Sequence, residues 1–487
     1  MSPTIGPPPG SPAPPGGERP APGATSARAP SGATAKGGTI PIGSPGPAGE
    51  RPGAQGRPRV ARTDRLTTVW LCLAVLAAGA TTVFRTALPQ PLWTTIHLVT
   101  LGVLTNGILQ WSWYFARALL RLPPGDRHSG RDNTRRILAL NAALVVLIAS
   151  MWAEWAPGAV VGATGVGAVA AWHGLALVVA ARTRLASRFA VVLRYYAAAA
   201  AFLVLAAVLA GLVATAAFAA SAPQWLVGAR SAITVAHAIA GVGGWVGLTM
   251  GGTIVTLGPT AVRTRMDPRA VDLASLALPV WAAGLLAAVA GALAGHMRAV
   301  AAGLAVVGLA AAAGIAYPLA RAAMRKGPSE YGSWSMCLGT AWILVGVAVV
   351  AQHAWATGTG EQLRAANLPW LPIIGAGGLG QVFIGALTYL MPVVIGGGPR
   401  AVRVGVGALE AAAPMREASR NAALVLLAAA TASQAPAAAP LATACWAVVL
   451  ATYLADIALM ARAGTAQARA RTAPPSPSPS NTGGPRG

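Results

Sequence analysis

The chain has 487 residues, of which 55% are hydrophobic and 10% charged, with a mean hydropathy of +0.58. Soluble domains carry about 25% charged residues, so this composition excludes an ordinary soluble enzyme, and apolar runs long enough to cross a bilayer core recur from Thr67 to Met460. The net charge of +23 does not make a nucleic-acid surface, because no basic run carries interleaved aromatics; nucleic acid is not expected as a partner, and the lipid bilayer is.

Residues 1–62 are rich in Pro, Gly, Ala and Ser, as in Ile5-Gly-Pro-Pro-Pro-Gly-Ser-Pro. Such a segment buries too little apolar surface to offset its ordering entropy and is expected to be a disordered tail. No apolar core follows a short charged start, so it does not read as a signal peptide. Residues 63–463 read as one polytopic membrane domain, and residues 464–487 as a second tail in the same style.

Hydropathy predicts twelve spans, at 66–86, 91–116, 137–156, 158–181, 189–219, 230–258, 271–296, 299–320, 333–356, 369–395, 419–436 and 440–461. The loop charges set their orientation. With both termini in the cytoplasm, the inner loops hold Arg121, Arg127, Arg131, Arg135 and Arg136; Arg182, Arg184 and Arg188; Arg263, Arg265 and Arg269; Arg321, Arg325 and Lys326; and Arg400, Arg403, Arg416 and Arg420. The outer loops hold only Arg85, Arg230, Arg298 and Arg364. A miscounted span would invert every later loop and destroy this asymmetry. Trp93, Trp152, Trp155, Trp225, Trp355 and Trp370 then fall near the outer surface as an interfacial belt. The expected location is a plasma membrane, multi-pass, with both termini cytoplasmic.

An imidazole inside a membrane span is costly to place and marks a functional candidate. Five of the six histidines lie in spans or at their edges, and His128 lies in the arginine-rich inner loop. At about 1.5 Å per residue, His97, His237, His353 and His296 fall in the outer third of the membrane, and His173 falls in the inner half. Imidazole ligates copper, iron and zinc. Each histidine can equally bond a neighbouring helix, which is the preferred reading for His173. Cys72, Cys337 and Cys445 form no Cys-x-x-Cys pair and read as small buried side chains.

Span six continues His237-Ala-Ile-Ala-Gly241-Val-Gly-Gly244-Trp-Val-Gly247-Leu-Thr-Met-Gly251, and span ten contains Gly375-Ala-Gly-Gly378-Leu-Gly380-Gln381. The Gly-x-Gly-Gly steps echo each other. Close helix packing is the preferred explanation of these glycines; a flat cofactor against a glycine face is the alternative. In span twelve, Asp456 is expected to pair with an inner-loop arginine.

Spans two, six and ten are four apart. His97-Leu-Val-Thr-Leu-Gly-Val-Leu-Thr-Asn in span two, the stretch from Gly244 to Met266 at the end of span six, and Gly380-Gln-Val-Phe-Ile-Gly-Ala-Leu-Thr-Tyr-Leu-Met-Pro in span ten resemble the heme–copper oxidase catalytic subunit. The nearest likeness is to the membrane module of actinobacterial copper oxidase and copper nitrite reductase-type proteins, and more distantly to NnrS-type membrane proteins. The resemblance implies an all-α fold of about twelve transmembrane helices. His97 matches a heme-ligating slot and His237 a copper-ligating slot. Span ten of that family supplies two histidines where this chain offers only Gln381, and span seven supplies adjacent histidines where His296 stands alone. The resemblance therefore implies a reduced site. One heme or one copper would be held by His97 and His237, with His353 and His296 as further candidate metal ligands and a separate cupredoxin or cytochrome as electron partner. Oxygen reduction by a complete binuclear site is not expected. Two other readings stay open, a twelve-helix transporter and a cofactor-free membrane scaffold or assembly factor.

Overall fold

The computed structural model describes residues 60–120, 131–182, 190–434 and 439–472, and every regular element among them is helical. The expected tails at 1–59 and 473–487, and the loop holding Arg121, Arg127 and His128, lie outside the described residues. Helix α1 is Val60–Val83. Then come α2 (Pro91–Leu120), α3 (Arg131–Trp152), α4 (Ala156–Arg182), α5 (Ala190–Phe218), α6 (Gln224–Ala261), α7 (Ala270–Leu293), α8 (Met297–Arg325) and α9 (Tyr331–Ala356). The short α10 (Gly360–Asn367) precedes α11 (Leu371–Ile395), and a second short helix, α12 (Gly398–Leu409), precedes α13 (Ala413–Ser433) and α14 (Ala439–Thr472).

Ten of these helices, α2 to α9, α11 and α14, are long and apolar enough to cross a membrane among the described residues. The protein is a multi-pass membrane protein in contact with lipid. The first and eleventh expected spans, at α1 and α13, are not among these ten. In α1 the described apolar stretch is only Cys72–Thr81. The first half of α13 carries Arg416, Glu417, Arg420 and Asn421 instead of an apolar run. A further difference lies at the C-terminal boundary, where α14 runs on to Thr472, past the 463/464 limit read from composition. Its extra turns are tied down: the Gln467 amide donates to Pro392 O (2.7 Å) and Gly396 O (2.9 Å), occupying carbonyls at the end of α11.

Sequence neighbours pack on one another, with α5 on α6, α7 on α8 and α4 on α5 the most intimate pairs. Small residues permit this closeness, since lipid offers no hydrophobic drive and helices associate through van der Waals contact. A Cβ added at Gly303 would lie 2.6 Å from Gly284 O, so α7 and α8 touch backbone to backbone. One continuous core then runs from Leu101 through Leu140, Tyr196 and Trp245 to Val382.

Among the described residues, four of the helices are interrupted by π-helical segments: Leu98–Thr105 in α2, Ile239–Gly247 in α6, Ala312–Ala316 in α8 and Gly375–Gly380 in α11. The Gly-x-Gly-Gly steps of spans six and ten lie inside two of them. π-Segments release carbonyls from the regular ladder and concentrate at functional sites. Thr105 Oγ1 donates to Thr100 O (2.8 Å) and accepts from Trp245 Nε1 (2.9 Å), which links the α2 and α6 segments. The Tyr453 hydroxyl donates to Ala376 O in the α11 segment.

Candidate functional site

Pro91 starts α2 where its missing N–H costs nothing, and the helix carries His97 to the last residue before its π-segment. In α6, His237 stands two residues before the equivalent segment. The structure brings these two imidazoles together, with ring centroids 6.1 Å apart and planes 18° from parallel. His97 Nδ1 bonds Trp93 O at 2.8 Å, and His237 Nδ1 bonds Ala206 O at 2.8 Å. A carbonyl only accepts, so each Nδ1 carries its proton and each Nε2 keeps a lone pair. Trp93 stacks on His97 at 4.1 Å and 24°, fixing that ring. A backbone carbonyl on Nδ1 with Nε2 left as donor atom is the second-shell arrangement that orients metal-binding histidine.

The other candidate ligands lie elsewhere. His353 in α9 bonds Asn367 Oδ1 through Nδ1 (2.8 Å) and meets the edge of Trp370. His296 is exposed at the start of α8. Among the described residues, no three or more His, Cys, Asp or Glu side chains are grouped so as to hold a metal ion. His173 is buried in a polar knot. Arg136 NH1 lies 3.3 Å from its Nδ1, Ser112 Oγ lies 2.9 Å from its Nε2, and the edges of Trp113 and Trp245 approach its ring. The Arg136 guanidinium sits 4.7 Å over the Trp113 ring. This is a helix-bonding histidine.

The glycine face of α6 is covered by protein. A Cβ at Gly243 would meet Leu285, and at Gly247 and Gly251 the Trp281 ring, all from α7. Packing explains these glycines in the structure.

A second polar centre joins α9, α11, α13 and α14. Asp456 accepts from Arg416, Arg420 and the Tyr331 hydroxyl, the last at 2.6 Å. Arg416 stacks over Tyr331 at 4.0 Å and Arg420 over Tyr453 at 4.1 Å. Glu417 accepts from Ser335 and Asn421. Asn421 exchanges amide bonds with Gln381 (3.1 and 3.0 Å) and accepts from Trp342. Gln381, in the span that lacks histidine, is thereby committed to α13 and to Gly377 O. The sequence reading anticipated an arginine for Asp456 but missed the rest. Its signal was Arg416 and Arg420 at a four-residue spacing, one face of a helix, within a stretch read as loop and span.

Glu410 follows α12 and accepts from the Tyr331 backbone N–H (3.0 Å). Burial pushes its carboxyl above the usual range, and Glu330 adds to the effect; the Tyr331 N–H, Arg416 and Arg263 act against it.

Comparisons with protein-family models, with curated proteins and with solved structures found no match to this chain.

Proposed function

We propose that this multi-pass membrane protein holds one metal centre, a copper or a heme iron, between His97 and His237 in the outer half of a plasma membrane. On this reading it is a reduced relative of the heme–copper oxidase module, serving respiratory, copper or nitrogen-oxide redox metabolism, with twelve spans, cytoplasmic termini and a separate cupredoxin or cytochrome as donor. The observation that carries it is the pair itself, with two Nε2 lone pairs on separate helices and both Nδ1 atoms fixed by carbonyls. His97 and His237, with ring centres 6.1 Å apart, are the residues that would hold the centre, and each would offer it the Nε2 that its carbonyl bond leaves free.

The bound centre would supply one-electron chemistry. The chain's own residues would hold the imidazoles neutral and oriented, and the surrounding helices would exclude water. Span ten supports the reduced form, because Gln381 there is bonded to Asn421 and Gly377 O. The helix interruptions also suit a transporter. Three of the four, in α2, α6 and α11, fall in the second, sixth and tenth expected spans, four apart, and the fourth, in α8, falls in the eighth.

The test is purification in mild detergent followed by visible spectroscopy and metal analysis. A Soret band or about one copper per chain supports the reading. A protein with neither, even after supply of copper and heme during expression, overturns it.

A further inference from the structure

His97 ends the regular first part of α2, and the π-segment begins at the next residue. The direction in which its imidazole points therefore depends on that segment. A π-turn holds one residue more than an α-turn. At about 3.6 residues per turn, one residue corresponds to about 100° of rotation about the helix axis. Were the segment to revert to regular α-helix, His97 would swing by about that angle relative to the part of α2 beyond Thr105 and leave His237.

Two residues at the far end of the segment hold this register. Elsewhere in α2, hydroxyls bond the carbonyl four residues back, as Thr100 Oγ1 does to Ile96 O and Ser112 Oγ to Ile108 O. Thr105 Oγ1 reaches five back, to Thr100 O (2.8 Å), the span of a π-turn. It also accepts from Trp245 Nε1 (2.9 Å), inside the π-segment that follows His237 in α6. Both side chains are buried, Thr105 at 1% and Trp245 at 2% exposure. The next residue, Asn106, turns its backbone N–H to Val103 O and its side chain to Gly102 O (2.8 Å). It also exchanges amide bonds with Asn141 of α3 (3.1 and 2.8 Å).

The same lock closes the π-segment of α11. Gln381 directly follows it, with its backbone N–H on Gly378 O, its side chain on Gly377 O and an amide exchange with Asn421. An amide bonded back into the segment and clamped by an asparagine of another helix is thus used twice. The α11 segment ends on Gly380, which has no hydroxyl to match Thr105. The Thr105–Trp245 bond is what the two histidine-bearing helices add.

We propose that Thr105 is a positioning residue for the His97–His237 pair. Its hydroxyl holds the π-register of α2 and ties it to the π-segment of α6 through Trp245, while Asn106 and Asn141 lock the end of the segment. As a statement about metal binding this rests on the reading above; as a statement about the two imidazoles it does not.

The experiment uses the full chain, labelled with ¹³C,¹⁵N-histidine, in lipid bilayers and stripped of metal with a chelator. A ring-to-ring correlation between His97 and His237 in solid-state NMR, identified by its absence in His237→Asn, is expected in the wild type. It is expected to persist in Thr105→Ser, which keeps the hydroxyl. It is expected to vanish in Thr105→Val, which keeps the shape, and in Trp245→Phe, which keeps a buried aromatic ring. A merely structural role would lower stability without separating the rings. Copper(II) is then titrated into the same samples. Where the wild type binds the ion, Thr105→Val is expected to weaken binding at least about tenfold, as loss of an orienting group does. The ring contact judges the lock even in a wild type that takes up neither copper(II) nor hemin, an outcome that overturns the metal reading alone. A contact absent from the wild type, surviving in a folded Thr105→Val or Trp245→Phe, or lost equally in Thr105→Ser, overturns the proposal.

Discussion

His97 and His237 lie 6.1 Å apart, ring centre to ring centre, and each is anchored by one Nδ1–H bond to a backbone carbonyl, Trp93 O for the first and Ala206 O for the second. The anchoring separates two roles of the same ring. Nδ1 ties the helix structure together, and Nε2 is left for chemistry.

This separation predicts the behaviour of asparagine substitutions. In His97→Asn and His237→Asn the amide nitrogen takes over the Nδ1 donor, while the Nε2 lone pair is gone. Stability is expected to change by no more than about 1 kcal/mol, the worth of one hydrogen bond. Metal affinity is expected to fall by more than the roughly 10–100-fold typical of second-shell changes. Unfolding midpoints and metal competition on the same samples check both.

The Asp456 cluster predicts a large structural effect. Asp456→Ala leaves the buried Arg416 and Arg420 without their carboxylate, and breaking a buried pair in this way costs about 3–5 kcal/mol. Replacing all three with Leu or Met is expected to recover most of that loss. Tyr331→Phe removes one bond to Asp456 and is expected to cost about 1 kcal/mol. Denaturant unfolding in detergent measures the series.

Gly244 faces Phe202, and an added Cβ would sit 2.4 Å from the Phe202 Cβ, which cannot rotate away. Gly244→Ala is therefore expected to destabilise the α5–α6 contact by about 1–3 kcal/mol. Gly228, whose added Cβ meets nothing within 4 Å, is the control: Gly228→Ala is expected to be neutral or slightly stabilising, by up to about 1 kcal/mol. Thermal shifts of the two variants compare them directly.

Glu410 gives a pH dependence outside the spanning helices. Its folded-state carboxyl is raised by burial above its unfolded value. The native state therefore holds the proton more tightly, so this contribution is present at low pH and is lost as pH rises through the raised value. Glu410→Gln is expected to remove that component. Unfolding midpoints from pH 4 to 8 should fall with rising pH more steeply in the wild type than in Glu410→Gln.

Much of the fold was legible in the sequence because lipid leaves few choices, and apolar runs between arginine-rich loops must be helices. The pairing of His97 with His237 was legible from depth and helix order. The repeated Gly-x-Gly-Gly steps were visible too, but their meaning as π-segments was not, since periodicity rules carry no signal for one extra residue in a turn. The role of the polar face of α13 was hidden for another reason. Arg416, Glu417 and Arg420 look like loop residues until Asp456, Tyr331 and Ser335 arrive from distant helices to neutralise and bond them. Gln381 looked like the remnant of a ligand position and is a packing amide bonded to Asn421.

The central claim rests on the metal content of the purified full-length protein, measured in the wild type and in the His97→Asn/His237→Asn double variant prepared alongside. The account predicts about one copper or one heme iron per wild-type chain and less than about a tenth of that in an equally stable double variant, a loss that follows from removing both Nε2 donors. Equal metal content in the two proteins, or none in either after both copper and heme are supplied, would contradict it.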